Sequence, residues 1–403
     1  MINSIPPILY ILTTYGIYKY VGRFFCLSVY IWLLHTVSMI CFWIKADLFT
    51  GFPNDYSYEA LAVMYVTLLL ITYRMIVFDK KGWDLGLLTP TNNKKVLLLS
   101  KFLILLGIYS IAFFVVNLPK VFAQNIAELR DERMVFYSSS FFSKVAVLGA
   151  FASVFCIYFY FYLSTLKDSN KYKRTKNWLL ISSTSFIVYT LNVAGRDGIV
   201  IWGLSFLGGV FLFHRNLDNI SLRNIWKKTL VAFLLTAPIL GFITSSRFSN
   251  GYNDNSAIES VFSYAGQSLP NLSYAIDLTR RIGIYSGEGS IPIALVRSIM
   301  GDNEDRFDRM ERTAGYGFRS NQFASYVSAF YPAYPVYVLF LFVILFNIVI
   351  AGAMRGKMDY TRFLPAFTWY MIPIVGIFYF YYGELIGNVF LIMPFFIRYY
   401  LRN

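Results

Sequence analysis

Histidine and cysteine are nearly missing from this chain, with two and three residues among 403. So few cysteines rule out a paired-CxxC zinc module and a dense disulfide framework. Cys26, Cys41 and Cys156 all fall in apolar runs, where a free thiol acts as a small buried hydrophobe. His35 and His214 also sit in such runs, which leaves no histidine for a site built from the loops. Charge is short as well: Asp, Glu, Lys and Arg make up 14% of the residues, against about 25% in an average soluble domain. That excludes an ordinary soluble globule. No Asp-x-Asp pair marks a divalent metal site, Asp302-Asn-Glu304-Asp305 being the nearest substitute, so neither metal nor cofactor is expected. Solenoid-length repeats and low-complexity tracts are missing too. No basic residue precedes the first apolar run, so it does not resemble a cleavable signal peptide.

Apolar length is what the chain has in abundance. Hydrophobic residues reach 57%, with 7 Trp, 32 Tyr and 39 Phe, an aromatic excess that suits helices meeting lipid headgroups. A helix needs about 20 mostly apolar residues to cross the hydrocarbon core. Runs between charge clusters predict eleven spans, at 5–18, 24–44, 60–78, 96–117, 142–165, 178–194, 198–214, 229–245, 326–353, 363–381 and 385–398. The first is the weakest, being short and carrying Pro6 and Pro7; without it ten spans remain, and the later orientations are unchanged.

Basic residues fall in alternate loops, as the positive-inside rule requires. With the N-terminus outside, the inner loops and the C-terminus collect clusters such as Lys80, Lys81, Lys94 and Lys95, or Lys171, Lys173, Arg174 and Lys176. The inner side then carries a large positive excess and the outer side is slightly acidic, which accounts for the net charge of +14. The sign of that charge reports membrane topology, and no nucleic-acid partner is expected.

The expected fold is therefore an all-α polytopic integral membrane protein of about eleven transmembrane helices, with residues 1–403 as one membrane domain. Two segments stand out on the outer side. Residues 118–140 form a first outer loop with the charged run Glu128-Leu-Arg130-Asp-Glu-Arg133. Residues 246–325 form a large outer loop, long for a connection and too apolar for a disordered linker. Helical spacing at 258–269, 272–284 and 290–299 predicts a folded, part-helical cap lying on the outer membrane face.

The large loop uses arginine and no lysine, from Arg247 through Arg280, Arg281, Arg297, Arg306, Arg309 and Arg312 to Arg319. A guanidinium binds phosphate or carboxylate through a planar fork that lysine lacks, which points to an anionic, phosphate-bearing ligand. The plainer alternative is that Arg306, Arg309 and Arg312 pair with the neighbouring acids on a solvated helix. A tighter signal is Gly195-Arg196-Asp197-Gly198 between two spans, because an ionisable pair at membrane depth is costly unless paired or functional. Arg196 is placed to reach a phosphate at the interface, and Asp197 to hold Arg196 or act as a base. A tight glycine turn with a local ion pair is the competing interpretation. Further acid–base candidates outside are Asp277, Glu288, Asp302 and Glu384.

In this layout the chain resembles the Wzy-type O-antigen polymerases, with about ten to twelve spans and two outer loops, the larger near the C-terminus. The local echoes are the Arg196 turn opening a span, Leu129-Arg130 in the first loop and Arg247 before the large loop. An Arg-x10-Gly pattern runs from Arg306 to Gly317; the second copy, expected from Arg196, is missing. The resemblance implies a GT-C-like, metal-independent glycosyltransferase in the bacterial inner membrane, with its active site facing the periplasm and its C-terminus in the cytoplasm. It implies transfer of a growing glycan from undecaprenyl pyrophosphate to the non-reducing end of an incoming undecaprenyl-pyrophosphate-linked repeat unit, with membrane lipid and a chain-length regulator as partners. On that basis Arg196, Arg247 and Arg319, then Arg280 and Arg281, would hold pyrophosphate. Asp197 or Glu288 would be the base, and Arg130 and Arg133 would guide the second lipid or the glycan. A ligase of the same layout would carry a histidine in its large outer loop. A flippase or other transporter would line its spans with charge.

Overall fold

The computed structural model describes residues 2–48, 56–81, 93–119, 140–166, 169–192, 195, 197–231, 234, 257–283, 315, 325–355, 360–378 and 385–402. Among these residues helices are the only regular structure. Five are long and apolar enough to cross a membrane, and a sixth such span results if one bent pair is counted together. They match the predicted spans at 24–44, 60–78, 96–117, 142–165 and 198–214, and the second half of 326–353.

The contacts divide the chain into two compact units. The first comprises Met1–Asp84, Ile258–Lys357 and Pro365–Phe395. Its helix α1 (Ile5–Val21) opens on Pro6 and Pro7 and closes at Gly22, whose φ of 76° lets its N–H reach the Tyr18 carbonyl. Proline is harmless there because first-turn N–H groups have no helical acceptor. Seventeen residues rise only about 25 Å, however, short of the roughly 30 Å hydrocarbon core. Helices α2 (Leu27–Leu48) and α3 (Tyr58–Lys81) pack on α1 and on each other. Tyr10, Trp32 and Tyr65 interlock with ring centroids 5.6–5.7 Å apart. Inside this bundle His35 is buried and its Nε2 lies 2.9 Å from the Pro373 carbonyl, an ordinary satisfied core histidine.

The second unit comprises Leu85–Ala257, Met358–Leu364 and Phe396–Asn403. Helix α4 (Asn93–Val115) packs against α5 (Phe141–Phe151), α6 (Ser153–Ser164), α7 (Lys173–Ser182) and α8 (Ser185–Leu191). Small residues set these distances: a Cβ on Gly107 would stand 2.7 Å from Ser182 Cβ, and one on Gly149 would be 2.9 Å from Ser110 Cβ. Close approach at glycine and serine is how apolar helices gain contact where burial from water drives little. Helices α5 and α6 meet at a bend of 42°, and every residue of α6 is buried, as a helix apolar on all sides requires. Helix α9 (Asp197–Phe213) packs on α6 and α8, and residues 219–231 form α10.

Several expected spans are corrected. Residues 178–194 do not make one helix; the chain breaks between α7 and α8, where Ser183 Oγ donates to the Leu180 carbonyl at 2.6 Å and Thr184 Oγ1 to that of Ile181 at 2.7 Å. Consecutive hydroxyls compete with the backbone ladder in this way. At 326–353, Tyr326–Ala329 is a short 3-10 turn and the long helix α11 (Val336–Met354) begins only after Pro335, because Pro332 and Pro335, three residues apart, each remove a ladder N–H and together disfavour helix there. The span at 363–381 becomes α12 (Tyr360–Val375), 16 residues with Pro365 and Pro373 inside. The span at 385–398 becomes α13 (Leu385–Arg402), 18 residues carrying Pro394 and a basic end. At 16 residues, about 24 Å, α12 is short of the roughly 30 Å hydrocarbon core, whereas α13 covers the whole of its predicted run. Most of 229–245 lies outside the described residues.

The described part of the large loop is helical, close to the spacing predicted at 258–269 and 272–284. It forms α14 (Ala257–Gly266) and α15 (Ser268–Ile282), which pack along the flank of the first unit. Ser38 Oγ donates to the Ala265 carbonyl at 2.6 Å and lies 3.3 Å from Ser268 Oγ. Ser38 is ten residues, or about 15 Å, inside the end of α2. A Cβ on Gly266 would press on the α2 backbone, 2.7 Å from Phe42 Cα. Leu269, Leu272 and Ile276 are fully buried. The turn between the two helices is therefore set into the bundle and does not rest on its surface, because α15 has one continuous apolar face and small residues where it meets α2.

Candidate functional site

The best-defined polar cluster lies where α3 begins and α15 ends, in the first unit. Ser57 caps α3 by accepting the Ala60 N–H at 3.1 Å, so the Glu59 carboxylate is not needed to cap the helix. The Ser57 N–H is in turn held by Ser273 Oγ of α15 at 3.0 Å. Glu59 Oε1 accepts a hydrogen bond from the Tyr331 hydroxyl at 2.5 Å, and Glu59 Oε2 pairs with Arg280 in the last turn of α15. The Glu59 side chain is 28% exposed and that of Arg280 64%. One carboxylate thus bridges a phenol and a guanidinium at a solvent-reachable point anchored by two packed helices. A carboxylate in a first helical turn also interacts favourably with the positive end of the helix dipole. Nearby, the Tyr56 ring stacks edge-on with Phe42 and Tyr58 at 5.8 Å, and burial, with a smaller effect of Tyr58, pushes its phenol above its ordinary value.

Lys45, near the end of α2, is buried, and its Nζ donates to Ser263 Oγ of α14 at 2.7 Å. The same helix pair is therefore tied to α2 at Ser38 and Lys45, and to α3 at Ser57 and Glu59.

Of the residues expected to hold pyrophosphate, Arg280 and Arg281 are described, and neither stands alone. Arg281 pairs with Asp277 one turn back, with both side chains largely solvated, so solvent screens the pair strongly. Asp277 is thereby placed in a local ion pair on the exposed side of α15.

Asp197 opens α9 in the second unit. The Gly195 N–H donates to the Thr190 carbonyl at 2.8 Å, and a Cβ on Gly195 would stand 2.6 Å from Asp197 Oδ1. A Cβ on Gly198 would collide with Thr190 Oγ1. Gly195 is thus explained by the close Asp197 carboxylate and Gly198 by the close approach of α8 at Thr190. Arg196, Glu288, Arg247, Arg319, Arg130 and Arg133 lie outside the described residues, as do Asp302 and Glu384. Among the described residues no three His, Cys, Asp or Glu side chains come together.

Glu59 and Tyr331 were not among the residues predicted from sequence. Glu59 reads as an ordinary acidic first turn before an apolar run, and its partners Arg280 and Tyr331 lie 221 and 272 positions away. The one available signal was that an acid and a loop whose cations are all arginine fall on the same expected side of the membrane. No protein-family model, curated protein or solved structure matches the chain.

Proposed function

We propose that the chain is a lipid-linked glycan polymerase of the Wzy type. It would transfer a growing oligosaccharide from undecaprenyl pyrophosphate to the non-reducing end of an undecaprenyl-pyrophosphate-linked repeat unit at the outer face of the bacterial inner membrane. The observation that carries this proposal is Arg280. It comes from a loop whose cations are all arginine, and it sits with a carboxylate and a phenol at the end of a membrane-length helix. Such a grouping supplies a donor fork for a leaving pyrophosphate and a proton acceptor for an attacking hydroxyl. Arg196, Arg247 and Arg319 remain phosphate-binding candidates by residue type and position in the sequence, and no cofactor is invoked.

The test is genetic. In a strain that makes the envelope glycan, deletion of the gene should leave lipid A–core bearing a single repeat unit on a lipopolysaccharide gel, and the wild-type gene should restore the ladder. Arg280→Ala and Arg196→Ala, at matched membrane abundance, should each shorten or abolish it. Bare core after deletion would mean that repeat units are not delivered or attached, and a ligase-like transferase or a flippase would replace the polymerase.

A further inference from the structure

We propose that Glu59 is the general base of this transfer and that Arg280 makes its availability depend on bound phosphate; the inference rests on the transfer chemistry proposed above. Glu59 has one oxygen on a fixed neutral partner, Tyr331, and the other on a cation, Arg280, that is itself mostly in solvent. Exposed ion pairs of this kind are weak. A pyrophosphate offers the guanidinium more charge and a matching fork, so an arriving lipid pyrophosphate draws Arg280 away from the carboxylate. Oε2 is then released next to the phosphate, while Oε1 stays on the Tyr331 hydroxyl. The backbone at Glu59 does not shift in this exchange, because Ser57 is held through its hydroxyl by Ala60 and through its N–H by Ser273.

The chemistry balances within these groups. The acceptor hydroxyl oxygen bonds to the anomeric carbon of the donor as the bond from that carbon to the phosphate oxygen breaks. The electron pair leaves on the pyrophosphate, stabilised by Arg280, and the hydroxyl proton passes to Glu59 Oε2 and then to water. Tyr331 touches neither substrate and is a positioning residue. Before phosphate binds, Glu59 is occupied by its ion pair. The exchange thus ties deprotonation of the acceptor to the presence of a donor.

The first test needs no turnover. Inorganic pyrophosphate is titrated calorimetrically into the full-length protein in detergent. Glu59→Gln, which removes the competing carboxylate, should bind up to about fivefold tighter than wild type. Arg280→Ala should bind at least about tenfold weaker. Equal affinities in all three overturn the exchange.

The second test is the rate of polymer formation from lipid-linked repeat units with the same purified proteins. Glu59→Gln should fall by about a hundredfold or more, and Glu59→Asp, which retains the charge, should recover part of the loss. Tyr331→Phe should lower kcat several-fold with KM unchanged. A wild-type protein with no polymerising activity sinks the proposed function and this mechanism together. An active wild type whose Glu59→Gln and Glu59→Asp variants keep more than a third of the rate sinks the base assignment alone.

Discussion

Glu59 and Asp197 each stand in the first turn of an apolar helix, yet their surroundings differ. Asp197 lies over a glycine two residues away, in a turn closed by its own backbone. Glu59 has partners from two distant segments, a loop helix and the residues before α11. A carboxylate that sits against its own turn is in position once that turn forms. One held at long range exists as a site only when the loop helix is docked, which makes it suited to sensing a ligand that competes for the same arginine.

The comparison breaks most visibly at the docking face. Leu272→Ala, on the fully buried side of α15, should cost about 2–5 kcal/mol, read as thermal unfolding in detergent. A loss below about 1 kcal/mol would mean that α15 is retained by its polar contacts alone. Glycine substitutions come next. Gly266→Ala meets α2 backbone at Phe42 and Cys41, while Gly198→Ala meets chiefly the Thr190 hydroxyl; each should cost about 1–3 kcal/mol. Thr190→Ala should restore part of the second loss, whereas the first has no side chain to remove.

A smaller effect is expected for the Glu59–Arg280 pair itself. A double-mutant cycle on unfolding should give a coupling under about 1 kcal/mol, even though loss of either residue disables activity. A coupling well above that would make the pair a structural clasp and weaken the case for exchange.

The smallest effect concerns pH. Asp218 caps α10 by accepting the Ser221 N–H at 3.0 Å, and hydrogen bonding to Ser221 holds its carboxyl below the ordinary value. A carboxyl lowered by folding contributes stability that is fully present above about pH 4 and is lost as pH falls through its folded value. The deficit of Asp218→Asn relative to wild type should therefore be a few tenths of a kcal/mol at pH 7 and vanish in strong acid. Exposure keeps it small, and a deficit that grows on acidification would show that the cap is not acting through charge.

Much of the helical pattern was legible in the linear chain, and it was lost where hydroxyls or prolines intervene. The runs that became α2, α3, α4 and α9 were read directly, because apolar length is a local property. The break between α7 and α8 was missed because the Ser182-Ser183-Thr184-Ser185 run is polar by too little to interrupt an apolar tally, although its hydroxyls bond back to the chain. The site divides along the same line. Arg280 was picked out by residue type, while Glu59 and Tyr331 carry no local mark of what they meet.

The sequence by itself determined that the chain is helical, rich in membrane-length apolar runs and asymmetric in charge, since hydropathy and charge placement need no partner to act. Only the tertiary structure decided that part of the long loop runs down the flank of α2, and that Arg280 meets Glu59 and Tyr331. Those contacts join residues more than two hundred positions apart. They depend on one buried face of α15 and on small residues that let two backbones approach, a matter of shape that no linear spacing encodes.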